Sequence, residues 1–134
     1  MRWISKEQVL ALHEDIVTEF GGKEGIRDEA LLDSALSAPF QTFGGEELYP
    51  DLLGKSARLA YGIIKNHPFY DGNKRMGAHL MLIFQCLNGI EITYRDEEMI
   101  DIIISVAAGE KDEEELSAWL KGHRNTEIGG LGDE

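Results

Sequence analysis

His67-Pro-Phe-Tyr-Asp-Gly-Asn-Lys-Arg75 is the stretch on which the organisation of this chain turns. Pro68 disfavours helical geometry at His67, so the pattern upstream of it (Leu52, Leu53, Ala57, Ala60, Ile63, Ile64) should end at about Asn66. Asp51 is placed to cap that long helix. Downstream, a second pattern starts near Asn73 and runs through Leu80, Met81, Phe84 and Leu87 to the Asn88-Gly89 terminator. It is apolar on most sides, which predicts a central, buried helix. The quoted stretch is therefore a loop that leaves one helix and enters the buried one.

Helical periodicity continues in both directions. Ser5-Lys-Glu-Gln8 has the form of a capping box, and Val9, Leu12, Ile16 and Phe20 follow at helical spacing until Gly21-Gly22. Asp28 can cap a helix bearing Leu31, Leu32, Ala35 and Leu36 that ends before Pro39. Beyond Asn88-Gly89, Ile90 to Tyr94 forms a short extended link. Asp96 is expected to cap a helix carrying Ile100, Ile103, Ile104 and Ala107, and Asp112 a last one carrying Leu116, Trp119 and Leu120. Phe40 to Pro50 departs from the plan: Thr42-Phe-Gly-Gly-Glu46 has the make-up of a tight hairpin turning on Gly44 and Gly45, a small β-like flap. The fold class is all-α, a compact helical bundle with a buried central helix and this one excursion. A folded domain is expected over 1–122. Residues 123–134, with Gly129, Gly130 and Gly132, lack the apolar content to order themselves and are expected as a flexible tail.

A chain of 134 residues is one domain by length, and its 43% apolar content is ordinary for a soluble globule. No segment approaches the roughly 18 apolar residues that span a bilayer, and the N-terminus has no signal-peptide apolar region, so a cytoplasmic protein without a membrane role is expected. The net charge of −12 works against direct binding of nucleic acid. Cys86, alone and within an apolar run, reads as a buried small hydrophobe. His13, His79 and His123 read as surface or satisfied core histidines, and Trp3 and Trp119 as packing residues. P-loop and dinucleotide-binding glycine motifs do not occur.

The loop itself carries chemistry. The first turn of a helix exposes unpaired N–H groups and the positive end of the macrodipole, where acidic side chains belong. Lys74 and Arg75 stand there instead. Two cations at that end are mildly unfavourable unless a polyanion sits against them. Gly72 allows backbone dihedrals that aim successive N–H groups at one point, an anion nest. Asp71 offers a hard oxygen suited to Mg²⁺, which nucleotide phosphates bring with them. His67, on the same loop, can take a proton from a hydroxyl attacking a bound phosphate.

The sequence HPFYDGNKR resembles the signature of the Fic/Doc family, and Lys74 after Asn73 makes it similar to the Doc (death-on-curing) branch. Every position except Tyr70 is one that the signature constrains. Weaker likeness extends over Gly25-Ile-Arg-Asp28, the flap-like Phe40 to Pro50 and the Leu87-Asn-Gly89 helix end. The resemblance implies His67 as base, Phe69 as buried anchor and Asp71 as Mg²⁺ ligand. It implies Gly72 and Asn73 as shapers of the phosphate nest, and Lys74 and Arg75 as holders of the phosphates of ATP. It also implies that the flap, Thr42, Phe43, Gly44, Gly45 and Glu46, pairs its edge with an extended segment of a target protein.

Adenylylating members of the family usually carry glycine where Lys74 stands and a second arginine where this chain has Ala78. Doc-type members match this chain at both positions and pass on the γ-phosphate. The resemblance therefore favours a toxin that phosphorylates a hydroxyl of a protein, with elongation factor Tu as the candidate target, blocking translation and neutralised by an antitoxin. The self-inhibitory [ST]xxxE[GN] pattern of other members is absent: Thr93 and Glu97 have the spacing, but Glu98 follows. AMP transfer, and a catalytically silent nucleotide-binding interaction module, are the alternatives.

Overall fold

The computed structural model describes residues 1–125. The expected tail lies largely outside the described residues. In chain order the elements are α1 (Lys6–Phe20), α2 (Glu29–Ser37), a 3₁₀ turn (Ala38–Phe40), β1 (Thr42–Phe43), β2 (Glu46–Glu47), α3 (Leu52–Asn66), α4 (Asn73–Leu87), α5 (Asp96–Ala107) and α6 (Glu113–His123). Each start has a local cause. Ser5 and Gln8 close a reciprocal capping box on α1, and Asp112 and Glu115 do the same on α6. Asp28 and Asp51 accept the N–H groups of Leu31 and Gly54. The cap of α5 is one residue earlier than expected. Arg95 occupies that position, its N–H held by Glu98, and Asp96 is already helical.

Two apolar clusters share α3 and α4 as their common wall. One gathers Val9 and Ile16 of α1, Leu32 and Ala35 of α2, and Phe69, Leu80 and Phe84 around Leu59 and Ile63. The other packs Met99, Ile102, Ile103 and Val106 of α5 and Leu116 and Leu120 of α6 against Ala57, Ala60, Ile64 and Met81. The two central helices approach closely at Gly77, where a Cβ would lie 2.7 Å from Ile64 Cγ1 and 3.1 Å from the Ala60 carbonyl oxygen.

Several expectations need correction. The more enclosed helix is α3, which touches α2, α4, α5 and α6; α4 leaves Lys74, Arg75, His79 and Cys86 exposed along one side. Cys86 is thus an exposed thiol. On α5 the buried stripe is Met99, Ile102, Ile103 and Val106, while Ile100 and Ile104 face outward. The apolar residues there run all round the helix, so periodicity alone did not select the buried face. On α1, His13 and Val17 face inward with Val9 and Ile16, and Phe20 stands exposed.

The boundary expected at 122 falls inside α6, which continues to His123. Asn125 N–H donates to the Glu91 carbonyl at 2.9 Å and Thr93 N–H to that of His123 at 2.9 Å, so the extended link holds these residues in place. The hairpin forms as expected, Thr42 opposite Glu47 and Phe43 opposite Glu46, with Gly44 and Gly45 at positive φ. Among the described residues no helix is long and apolar enough to cross a membrane.

Candidate active site in the α3–α4 loop

The loop between α3 and α4 is held from three sides. At its entrance His67 ends α3 in the left-handed region, φ 49°, the one non-glycine residue with positive φ among the described residues. That conformation is costly away from glycine and tends to occur where surroundings enforce it. Arg27 does the enforcing: its Nε donates to the His67 carbonyl at 2.7 Å and its Nη2 to that of Asn66 at 2.8 Å. A cation on the last carbonyls of a helix also suits its negative end. The backbone N–H groups of Arg27 and Asp28 both donate to the Pro68 carbonyl, at 2.7 and 3.1 Å.

From beneath, Phe69 plugs the core at 1% exposure, the buried anchor implied by the resemblance. The ring of His13 stacks on it at 3.9 Å, and His13 Nε2 meets the Asp71 carbonyl at 2.7 Å. His13 is accordingly a satisfied core histidine that supports the loop. Asn73 closes the turn on itself: its Oδ1 accepts from Phe69 N–H at 3.1 Å and its Nδ2 donates to the Phe69 carbonyl at 3.0 Å. Its side chain is therefore spent on shaping the loop, and Nδ2 stands 3.5 Å from His67 Nδ1, the outer limit of a hydrogen bond.

Gly72 adopts φ 82° and ψ 13° and precedes α4 without any side-chain cap. No side chain therefore caps the first N–H groups of α4. Lys74 and Arg75 are exposed beside them, and neither forms an ion pair among the described residues. Asp71 Oδ2 accepts the backbone N–H of Lys23 at 2.7 Å, which orients the carboxylate. His67, Asp71, Gly72, Asn73, Lys74 and Arg75 line one open hollow of about 410 Å³, whose opposite wall is the end of α1 with Phe20 and Gly21.

The structure thus gathers the loop residues singled out in the sequence, except Phe69, which lies below. Thr42 to Glu46 do not line the hollow; the hairpin adjoins the opposite end of α3, where the buried Lys55 ammonium pairs with Glu47 at 2.6 Å. Sequence reasoning gave no site role to Arg27, Lys23 or Phe20, and read His13 only as a surface or satisfied core histidine. Only the Gly25 to Asp28 likeness hinted at Arg27; the others act on residues far along the chain, in the α3–α4 loop or at the start of α4, and leave no local pattern. Among the described residues no group of three or more His, Cys, Asp or Glu side chains is arranged to hold a metal.

One loop of this helical bundle thus carries an uncapped, cation-flanked helix N-terminus and an exposed imidazole, the features of a candidate site for an anion and for proton transfer. The chain belongs to the Fic/DOC family, whose model matches residues 3–85. It is 33% identical over 115 residues to a protein named Toxin Doc from Mycolicibacterium smegmatis, an alignment covering 81% of this chain and 88% of that protein. It is 30% identical over 110 residues to Protein kinase doc of Escherichia phage P1, covering 82% of this chain and 86% of the phage protein.

Proposed function

We propose that this chain is a Doc-type toxin that transfers the γ-phosphate of ATP to a hydroxyl of a target protein. The observation that carries the reading is the juxtaposition, in one hollow, of His67 with the uncapped first turn of α4 and the Lys74–Arg75 pair. The names and extent of the two Doc relatives support it. In this reading the N–H groups after Gly72 and the two cations hold the polyphosphate, and fixed donors near the transferring group stabilise its charge. An imidazole nitrogen of His67 accepts the proton of the target hydroxyl as its oxygen forms a bond to the γ-phosphorus. The bond from that phosphorus to the β–γ bridging oxygen breaks, and ADP departs.

Asp71 is the residue suited to Mg²⁺. As a single carboxylate it fits an ion that takes its remaining ligands from phosphate oxygens and water, and that ion would offset the charge of the phosphates. Lys74 in place of glycine and Ala78 in place of an arginine favour phosphoryl over AMP transfer. Elongation factor Tu is the proposed target and a small antitoxin the proposed restraint.

The test is incubation of the protein with a translation lysate and ATP labelled separately at the α- and γ-phosphates. Label from the γ-position alone on a target protein is the expected result. Label from the α-position would overturn phosphoryl transfer, and label from neither would remove the enzyme reading altogether.

A further inference from the structure

Phe20 is the last residue of α1; it is 49% exposed and belongs to neither apolar cluster. Packing gives no account of a large aromatic at that place. Its neighbour does: the Arg75 guanidinium carbon lies 3.9 Å from the centroid of the Phe20 ring. Both residues line the hollow that holds His67 and Asp71.

We propose that Phe20 is a positioning residue for Arg75, an aromatic rest that keeps the guanidinium turned toward the bound polyphosphate. This rests on the reading of the hollow as a nucleotide site. Arg75 stands at the positive end of the α4 macrodipole, where nothing in the helix favours a cation. An acidic partner would stabilise it but would occupy the N–H fork that a phosphate needs. The ring attracts the cation through its quadrupole and offers no conventional acceptor, so the in-plane donors stay free. It also removes rotamer freedom from a long side chain before the ligand arrives, so less is lost on binding.

Phe20 is itself held in register. Gly21 at φ 85° donates its N–H to the Val17 carbonyl and ends the helix there, and the packing of α1 on α4 sets the ring under the arginine.

The experiment is a double-mutant cycle on the whole chain, Phe20→Ala and Arg75→Ala singly and together, read by calorimetric binding of Mg·ATP and, separately, inorganic tripolyphosphate. Phe20→Ala should weaken both ligands by about 3- to 10-fold, the range of a partly exposed cation–π contact. Phe20→Tyr should restore binding. In the Arg75→Ala background the Phe20 substitution should have no further effect. Equal losses from Phe20→Ala with and without Arg75, or a loss confined to ATP, would overturn the proposal, the latter because it would make the ring a platform for the base. If Arg75→Ala itself leaves binding of both ligands unchanged, the nucleotide-site reading fails and this inference fails with it. If Arg75→Ala weakens binding and Phe20→Ala does not, only the inference fails.

Discussion

At the scale of single residues, the loop separates chemistry from support. The His67 imidazole is exposed and its one hydrogen-bond contact among the described residues is with Asn73, at the limit of such a bond, whereas Phe69, His13 and Arg27 are committed to holding the backbone. Removal of the imidazole should therefore spare the fold and nucleotide binding. His67→Ala is expected to lose about 10²–10⁴-fold in transfer to the target, the range of general-base catalysis, with binding of ATP within a few-fold of the parent. Near-normal labelling of target by the variant would take the base role away from His67. His67, Phe69 and Asp71 were legible because their loop has a dense local signature. Arg27 and His13 were not, because the carbonyls they serve lie 39 to 58 residues along the chain.

At the scale of elements, α4 combines a strained chemical end with a close-packed middle. Its first turn carries Lys74 against the helix dipole, so Lys74→Ala should leave the melting temperature of the ligand-free protein unchanged or raise stability by about 0.3–1 kcal/mol while weakening ATP binding. A clear fall in melting temperature would mean that Lys74 serves the fold. One turn further on, a Cβ on Gly77 would lie 2.7 Å from Ile64 Cγ1, closer than side chains pack, and tightly against the Ala60 carbonyl oxygen at 3.1 Å. Gly77→Val should force α3 and α4 apart and lower stability by about 1–3 kcal/mol, measured by denaturant unfolding. An unchanged midpoint would show that the helices have room to separate there. The helices themselves were legible from caps and terminators, and their boundaries agree to within a residue. The buried face of α5 was not: isoleucines occupy both sides, and only the arrival of α6 and α3 decides that Ile102 and Ile103 go in while Ile100 and Ile104 stay out.

At the scale of the whole molecule, the hairpin and the loop sit at opposite ends of α3, so any joint action on a target spans that helix. The hairpin is pinned to the first turn of α3 by Lys55, whose buried ammonium meets Glu47 and the Tyr49 carbonyl. Lys55→Met keeps most of the side chain's bulk and removes the pin. If the hairpin docks the target, this variant should raise KM for the protein substrate several-fold and leave ATP affinity as it was. Hydrogen exchange at Leu48, whose N–H is bonded to the Gln41 carbonyl, would verify that the hairpin has loosened. A loosened hairpin with unchanged KM would rule out the docking role.

The sequence by itself determined the class of fold, the ends of the helices, the hairpin and the identity of the loop at the centre of the site. Each of these is written in contacts between near neighbours: caps three residues apart, a proline after a helix, glycines at positive φ, cations in a first turn. The tertiary structure alone decided that α3, more than α4, is the enclosed helix, that Cys86 is exposed, and that α6 is fastened beyond residue 122. It alone brought the end of α1 over the loop, placing Phe20 beneath Arg75 and the Lys23 N–H on Asp71. The physical reason is that burial and long-range hydrogen bonds depend on which faces meet across the bundle, and a helix with apolar residues on more than one side leaves that choice to its neighbours.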